Sequence, residues 1–281
     1  MTRQILHSLT KSLLPLIVMI ALGLTASPAH AFTKYLINPC TPDAATTCDN
    51  SNKHQVYTPT VPARNQLAVF LGGTKSKPND YDTLSETLAN HGYHVINLRH
   101  VNGTSIENSC DSSYPGDQEC HRRFRAESAW GENVADPNGF AYNSTELSIN
   151  LSDSITNRLL KLVNYLSTTS PYSTQGWSQF RNTSSFNTTY NTYNPVWSLT
   201  AMGGHSQGSG ASLYAAKFYD LLRVAMLAGP QDSWDVQGQI FIAPWVTEGG
   251  FVTVPTGPGS GIEIDPAYVK KHTVVKKGSV T

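Results

Sequence analysis

Short apolar runs alternate with amphipathic stretches through the middle of the chain. Four runs predict strands: residues 66–71 (QLAVFL), 93–98 (YHVINL), 197–202 (WSLTAM) and 224–227 (VAML). A continuous apolar run of four to eight residues between turn residues is typical of a strand that is covered on both faces. The pattern therefore indicates a buried, mostly parallel sheet.

Helical spacing of apolar residues lies between these runs. It predicts helices from Asp80 to His91, from Ser144 to Leu166 and from Gly208 to Leu222. Strands that alternate with helices favour an α/β fold, with helices on both faces of the sheet. The functional loops of such a fold gather at the carboxyl ends of the strands.

Other segments show neither the apolar runs of strands nor the apolar spacing of helices. We expect residues 32–65 to wrap the surface, residues 102–143 to be irregular and residues 167–195 to form an exposed excursion. The Gly-, Pro- and Val-rich tail over 251–281 is atypical, and no helix is evident after Ala267.

Composition and charge limit the classes of protein to which this chain can belong. The 281 residues are 39% hydrophobic and 14% charged, as in globular proteins. Twenty basic residues balance twenty acidic ones, so a nucleic-acid partner is not expected. Residues 32–281 can form a single domain.

The N-terminus carries the three-part pattern of a secretory signal peptide over residues 1–31. Arg3 and Lys11 precede an apolar stretch from Leu13 to Leu24, and Ala29-His30-Ala31 offers small residues for cleavage. The alternative is a membrane anchor, but the stretch is shorter than the ~20 residues of a spanning helix. We therefore expect a secreted or periplasmic protein without stable membrane insertion after signal removal.

The four cysteines agree with export. Their spacing suggests the disulfides Cys40–Cys48 and Cys110–Cys120, which are stable in an oxidising compartment. A four-cysteine metal site is the alternative, but zinc sites favour shorter C-x₂₋₄-C spacings.

One motif carries chemistry. Residues 204–208, Gly-His-Ser-Gln-Gly, match G-x-S-x-G between a predicted strand and a helix of small residues. In that context the tight turn, here called the elbow, presents Ser206 as a nucleophile at the top of the sheet. The alternative is a glycine-rich turn with a buried serine.

A serine nucleophile needs a base and an acid. If the order is nucleophile, acid, base, His272 is the sole candidate for the base, because it alone among the histidines follows Ser206. His205 should point away across the turn. Asp232, just after the strand at 224–227, is the preferred acid. The other candidate acids are Asp235, Glu248 and Asp265.

The oxyanion of an acyl-transfer intermediate needs two backbone N–H donors. The N–H of Gln207 can supply one. The second can come from Gly73 or Thr74, in the turn that follows the strand at 66–71. A Gly-Gly turn is also common without such a role.

Over residues 66–245 the chain resembles the α/β-hydrolase-fold serine hydrolases. It is most similar to a largely uncharacterised bacterial group with a GHSQG elbow and an AGPxD segment, matched here by residues 228–232. The resemblance implies Ser206 as nucleophile and Asp232 as acid. It also implies a His-x-x-Asp-like segment near the C-terminus, which the residues after His272 do not match.

Three hypotheses follow. The first is a secreted serine hydrolase that acts on a small-molecule or polymer acyl substrate, without a metal or organic cofactor. The second is an inactive binding protein of the same fold, or a truncated member without its histidine. The third is a carbohydrate-binding surface protein, suggested by aromatic residues over 172–197: Tyr172, Trp177, Tyr190, Tyr193 and Trp197.

Overall fold

A six-stranded central sheet organises the chain in the computed structural model, which describes residues 31–247. The strand order is β1-β2-β4-β3-β7-β8. These strands are β1 (Phe32–Ile37), β2 (His54–Pro59), β3 (Leu67–Leu71), β4 (His94–Leu98), β7 (Thr200–His205) and β8 (Arg223–Leu227).

All strands of this sheet except β2 point the same way. β2 is antiparallel to both of its neighbours, whereas β4, β3, β7 and β8 form three successive parallel pairs. At the centre Val69 lies beside Ile96 on one side and Met202 on the other. The carboxyl ends of the parallel strands therefore meet at one edge, where the loops after β3, β4, β7 and β8 begin.

Helices cover both faces of the sheet. They are α1 (Asp82–Asn90), α2 (Ile106–Cys110), α3 (Cys120–Trp130), α4 (Ile155–Thr168), α5 (Gln207–Ala216) and α6 (Pro244–Thr247). Ala68 packs with Ala89 of α1 on one face, while Val69 packs with α4 and α5 on the other. This alternation follows from the two-residue period of a strand. The molecule is a mixed α/β structure with a mostly parallel sheet, as the sequence predicts.

Two hairpins flank the sheet. They are formed by β5 (Arg181–Asn187) with β6 (Thr192–Pro195), and by β9 (Ser233–Val236) with β10 (Gln239–Ile242). The second hairpin contributes Trp234 to a core that also contains Trp130 of α3 and Tyr214 of α5. That core fixes α3 against the helix that follows the elbow.

Several sequence expectations need correction. Residues 32–65, expected to wrap the surface, contribute β1 and β2 to the central sheet. Residues 102–143, expected to be irregular, contain α2 and α3. The excursion over 167–195 holds β5 and β6 and buries Trp177 and Tyr190. The long predicted helix begins at Ile155 rather than Ser144, because Ser154 caps it by accepting a hydrogen bond from the Asn157 N–H.

Both expected disulfides are present, Cys40–Cys48 and Cys110–Cys120. Within residues 31–247, no helix is long and apolar enough to span a bilayer. The signal peptide predicted over 1–31 lies outside the described residues except for Ala31, and the 251–281 tail lies wholly outside them.

Candidate functional site

Ser206 lies at the junction of β7 and α5, with φ 54° and ψ −120°. A positive φ is unfavourable for a residue with a side chain, and such strain is common at functional sites. Ser206 is partly exposed, whereas its neighbour Gln207 is buried. The turn therefore presents the serine hydroxyl at the carboxyl edge of the sheet.

The two glycines of the elbow make this turn sterically feasible. A Cβ on Gly204 would lie 2.2 Å from the Gly208 carbonyl oxygen. A Cβ on Gly208 would lie 2.1 Å from the carbonyl oxygen of Leu71, at the end of β3. The G-x-S-x-G spacing thus brings α5 against the end of the neighbouring strand.

The loop after β3 lies directly beside Ser206. A Cβ on Gly73 would be 3.2 Å from the Ser206 Cβ. The Gly73 N–H donates to the Tyr81 hydroxyl at 3.1 Å, so this N–H already has an acceptor. The Gly73 carbonyl accepts from Asn102 Nδ2 at 2.6 Å and from Ser76 Oγ at 2.8 Å.

The two backbone N–H groups of this turn differ in whether they already have an acceptor. In a trans peptide the carbonyl of one residue and the N–H of the next point in opposite directions. Because donors hold the Gly73 carbonyl, the Thr74 N–H is directed away from them. Its N–H has no acceptor within the described part of the chain.

Gln207 links the elbow to two loops. Its Oε1 accepts from Thr74 Oγ1 at 2.9 Å and from the Ile106 N–H at 3.3 Å. Since Gln207 is the first residue of α5, its own N–H has no intrahelical acceptor. The N–H groups of Gln207 and Thr74 therefore belong to residues that are in direct contact next to Ser206.

The hydroxyl of Ser206 donates to Oε1 of Gln231 at 2.8 Å. Gln231 belongs to residues 228–232, here called the Gln231 loop, which follows β8. Gly229 of this loop packs so closely on the elbow that an added Cβ would lie 2.8 Å from the Ser206 carbonyl oxygen.

Asp232 is buried and paired with Arg125 of α3. Arg125 donates from Nε to Oδ1 at 3.0 Å and from Nη2 to Oδ2 at 2.6 Å, and both side chains are at most 1% exposed. Trp245 Nε1 also donates to Oδ1, at 3.2 Å. The third Arg125 nitrogen donates to the Gln207 carbonyl at 2.6 Å. One arginine thus joins the predicted acid to the elbow.

No histidine among residues 31–247 is hydrogen-bonded to Ser206. The ring of His205 contacts the Tyr81 hydroxyl through Nδ1 at 3.0 Å. His272, the predicted base, lies outside the described residues. The structure therefore brings together Ser206, Gln207 and Thr74 but gives no position for the base.

Two other histidines near the site edge are buried. Burial lowers the pKa of His100 to about 4, although its hydrogen bond to the Leu98 carbonyl raises it. Burial also lowers the pKa of His121 to about 4, while Asp232 raises it and Arg125 lowers it. Both imidazoles are therefore neutral at pH 7.

The other three candidate acids are not placed at this site. Asp235 accepts from the Gly238 N–H in the β9–β10 turn, and Glu248 and Asp265 fall outside the described residues. Within the described range, no group of three or more His, Cys, Asp or Glu side chains could hold a metal ion.

Sequence reasoning missed three residues of this site: Arg125, Asn102 and Gln231. Each forms a hydrogen bond to a residue between 25 and 107 positions away in the sequence, and local periodicity does not predict such contacts. Only Gln231 had a usable signal, since it precedes the predicted acid.

Comparison with known proteins gives little similarity. No protein-family model matches the chain, and no curated protein matches it. A bacterial heroin esterase structure aligns at TM-score 0.31 and 10% identity, covering 76% of this chain and 49% of that one. The native structure of a protein designated pOPH aligns at TM-score 0.21 and 18% identity, covering 61% and 47%. The chain spans about half the length of each, and neither alignment assigns a function.

Proposed function

We propose that this protein is a serine hydrolase of the α/β-hydrolase fold that cleaves an ester or related acyl bond. The observation that carries the proposal is the strained backbone of Ser206 at a strand-to-helix turn. Two backbone N–H groups, of Gln207 and Thr74, accompany it. This combination suits a nucleophile that forms a tetrahedral oxyanion intermediate.

The proposed reaction begins when Ser206 Oγ attacks the acyl carbon and its proton passes to the base. The carbonyl oxygen becomes an oxyanion, which the Gln207 and Thr74 N–H groups stabilise together with the N-terminal end of α5. Collapse breaks the acyl bond, and the base returns the proton to the leaving group. Water then hydrolyses the acyl-enzyme by the same steps.

We assign the base to His272 and its orientation to Asp232. A carboxylate offers about four acceptor positions. Arg125 and Trp245 occupy three of those on Asp232, which leaves one position on Oδ2 for an imidazole N–H. Asp232 would then orient the imidazole while Arg125 holds the carboxylate in place.

We also propose that the protein is exported, with residues 1–31 as its signal peptide. The two disulfides are consistent with an oxidising compartment. The substrate would be a small-molecule or polymer acyl compound.

The decisive experiment treats the oxidised chain, residues 32–281, with a fluorophosphonate and maps the adduct by peptide mass spectrometry. We expect modification of Ser206. Ser206→Ala should lose both the adduct and ester turnover, whereas the control Ser184→Ala, at an exposed hairpin position, should keep them. Ester turnover that survives Ser206→Ala would exclude the mechanism.

A second candidate is a non-catalytic binding protein of the same fold. Two observations favour it: the Ser206 hydroxyl bonds to an amide rather than an imidazole, and Asp232 is paired with Arg125. A folded sample that gives no adduct on Ser206 and no ester turnover would support this candidate over the hydrolase.

A further inference from the structure

The hydrogen-bond partner of the nucleophile is a residue with no assigned role. The Ser206 hydroxyl donates a hydrogen bond to Gln231 Oε1 at 2.8 Å, and both residues are partly buried. Within residues 31–247, this is the one side chain that bonds to the Ser206 hydroxyl.

Gln231 is held at this position from both sides. On the N-terminal side, the Ser206 N–H donates to the Leu227 carbonyl at 2.8 Å, and Gly229 packs against Ser209 of α5. On the C-terminal side, Asp232 is anchored by its buried pair with Arg125. The contact between Gln231 and Ser206 is therefore built into the packing of the loop.

The chemistry of an amide oxygen gives this contact a consequence. An amide oxygen accepts a hydrogen bond, but it is too weak a base to remove a hydroxyl proton. While the Ser206 O–H points at Gln231, the same proton cannot point at an imidazole. As the proton leaves, negative charge develops on Oγ, and this charge faces an oxygen that carries partial negative charge.

We infer that Gln231 is a positioning residue that holds the Ser206 hydroxyl in a resting orientation, from which it must be released before attack. This inference rests on the proposed function. A net hydrogen bond of about 1 kcal/mol corresponds to roughly a fivefold restraint on the rate of attack.

The test compares second-order rate constants for modification of Ser206 by a fluorophosphonate in the oxidised 32–281 chain. The Oγ–P bond forms, the P–F bond breaks, fluoride leaves, and the hydroxyl proton passes to a base. Gln231→Met keeps the length of the side chain without the acceptor, and it should react about five times faster than wild type.

Gln231→Glu tests the pH dependence of the rate, which would not change if Gln231 had only a structural role. A carboxylate at this position can accept the Ser206 proton, so the rate should acquire a pH dependence from that carboxyl group, whose ordinary pKa is about 4.3. Its charged neighbours, Asp232 and Arg125, already neutralise each other. The matched control is Gln239→Glu, an exposed position in β10 that should leave the rate unchanged.

The outcomes separate this inference from the proposed function. If wild type reacts at Ser206 and Gln231→Met reacts no faster, the inference is wrong and the proposed hydrolase stands. If wild type is inert while folded Gln231→Met reacts at Ser206, the inference is supported. If wild type and Gln231→Met are inert while folded Gln231→Glu reacts at Ser206, the introduced carboxylate has supplied a missing base, so the proposed base and the inference that rests on it are both wrong. If all three are inert, both ideas fail. Circular dichroism melting verifies that each variant is folded.

Discussion

Ser206 adopts a backbone conformation that costs about 1–3 kcal/mol for a residue with a side chain. The surrounding packing must maintain it. Gly204 lies against the first turn of α5, and Gly208 lies against the end of β3, with no room for a methyl group at either position.

We expect Gly208→Ala to lower the free energy of unfolding by about 3 kcal/mol or more, because its Cβ would overlap the Leu71 carbonyl oxygen. Urea denaturation measures the loss. Gly103→Ala is the control, since an added Cβ there meets no atom within 4 Å. Equal stabilities for the two variants would contradict the packing described at the elbow.

The ion pair between Arg125 and Asp232 is the most buried charge interaction near the site. Removal of one partner leaves the other charge buried without compensation, which typically costs 3–5 kcal/mol. Removal of both avoids that penalty. The stability contribution of the pair is therefore tested by a cycle of variants rather than by one substitution.

Arg125→Met and Asp232→Leu should each reduce the free energy of unfolding by about 3–5 kcal/mol. The double variant should lose clearly less than the sum, because no charge remains unpaired. The control Arg223→Gln, at an exposed position in β8, should change stability by less than about 0.5 kcal/mol. Additive losses in urea titrations would show that the pair is not coupled.

At the scale of elements, the sequence predicted the strands that appear as short apolar runs. The apolar runs at β3, β4 and β8 matched to within one residue at either end. β3 and β4 lie inside the sheet and are buried at every position, as runs that are apolar on both faces predict, whereas β8 is an edge strand with alternate residues exposed. β7 runs three residues further towards the elbow than predicted, because Gly203 and Gly204 belong to the strand. α5 begins within one residue of its predicted start but ends at Ala216 rather than Leu222.

The missed elements depend on distant partners. α3 reads CHRRFRAESAW, a polar sequence, yet its Arg125 and Glu127 are buried. Glu127 accepts from the N–H groups of Ser144 and Ile149, and Arg125 binds Asp232. The local sequence pattern does not predict such long-range pairing. A polar helix of this kind is therefore predicted to be an exposed or irregular segment.

The disulfide Cys110–Cys120 joins α2 to α3 at the first residue of α3, the helix that carries Arg125. Cys110→Ser/Cys120→Ser should lower the free energy of unfolding by roughly 2–3 kcal/mol, since the bond restrains the unfolded chain over a short loop. Denaturation with and without reductant checks this. Reductant should lower the stability of wild type by at least as much as the double substitution does. A double variant as stable as wild type would argue against a structural role for the bond.

At the scale of the whole molecule, the candidate site combines loops from four strand ends. The sequence supplied Ser206, Gln207 and Thr74, because the elbow and the glycine turn are local motifs. It could not supply Gln231 as the partner of the hydroxyl, or Arg125 as the partner of Asp232. Both contacts arise only when β8 pairs with β7 and α3 packs on α5.

The global stability should fall in mild acid because of buried histidines. Burial lowers the pKa of His100 and that of His121 to about 4 each. Burial, together with the charges of Arg158 and Arg99, also holds the pKa of His54 well below its ordinary value. In the unfolded chain a histidine titrates near 6.5. Between these values the unfolded state binds more protons, so stability is full above about pH 6.5 and is lost as the pH falls towards 4.

His121→Phe should reduce this pH dependence. The His121 ring lies edge-on to Trp234 at 4.5 Å, and within the described residues neither of its nitrogens has a hydrogen-bond partner, so a phenyl ring can replace it. Each such histidine contributes up to about 1.4 kcal/mol per pH unit in this window. Urea titrations at pH 7, 6 and 5 should show a shallower slope for His121→Phe, while the control Gly103→Ala, whose added Cβ meets no atom within 4 Å, keeps the wild-type slope. An unchanged slope in His121→Phe would mean that His121 is not held neutral by the fold.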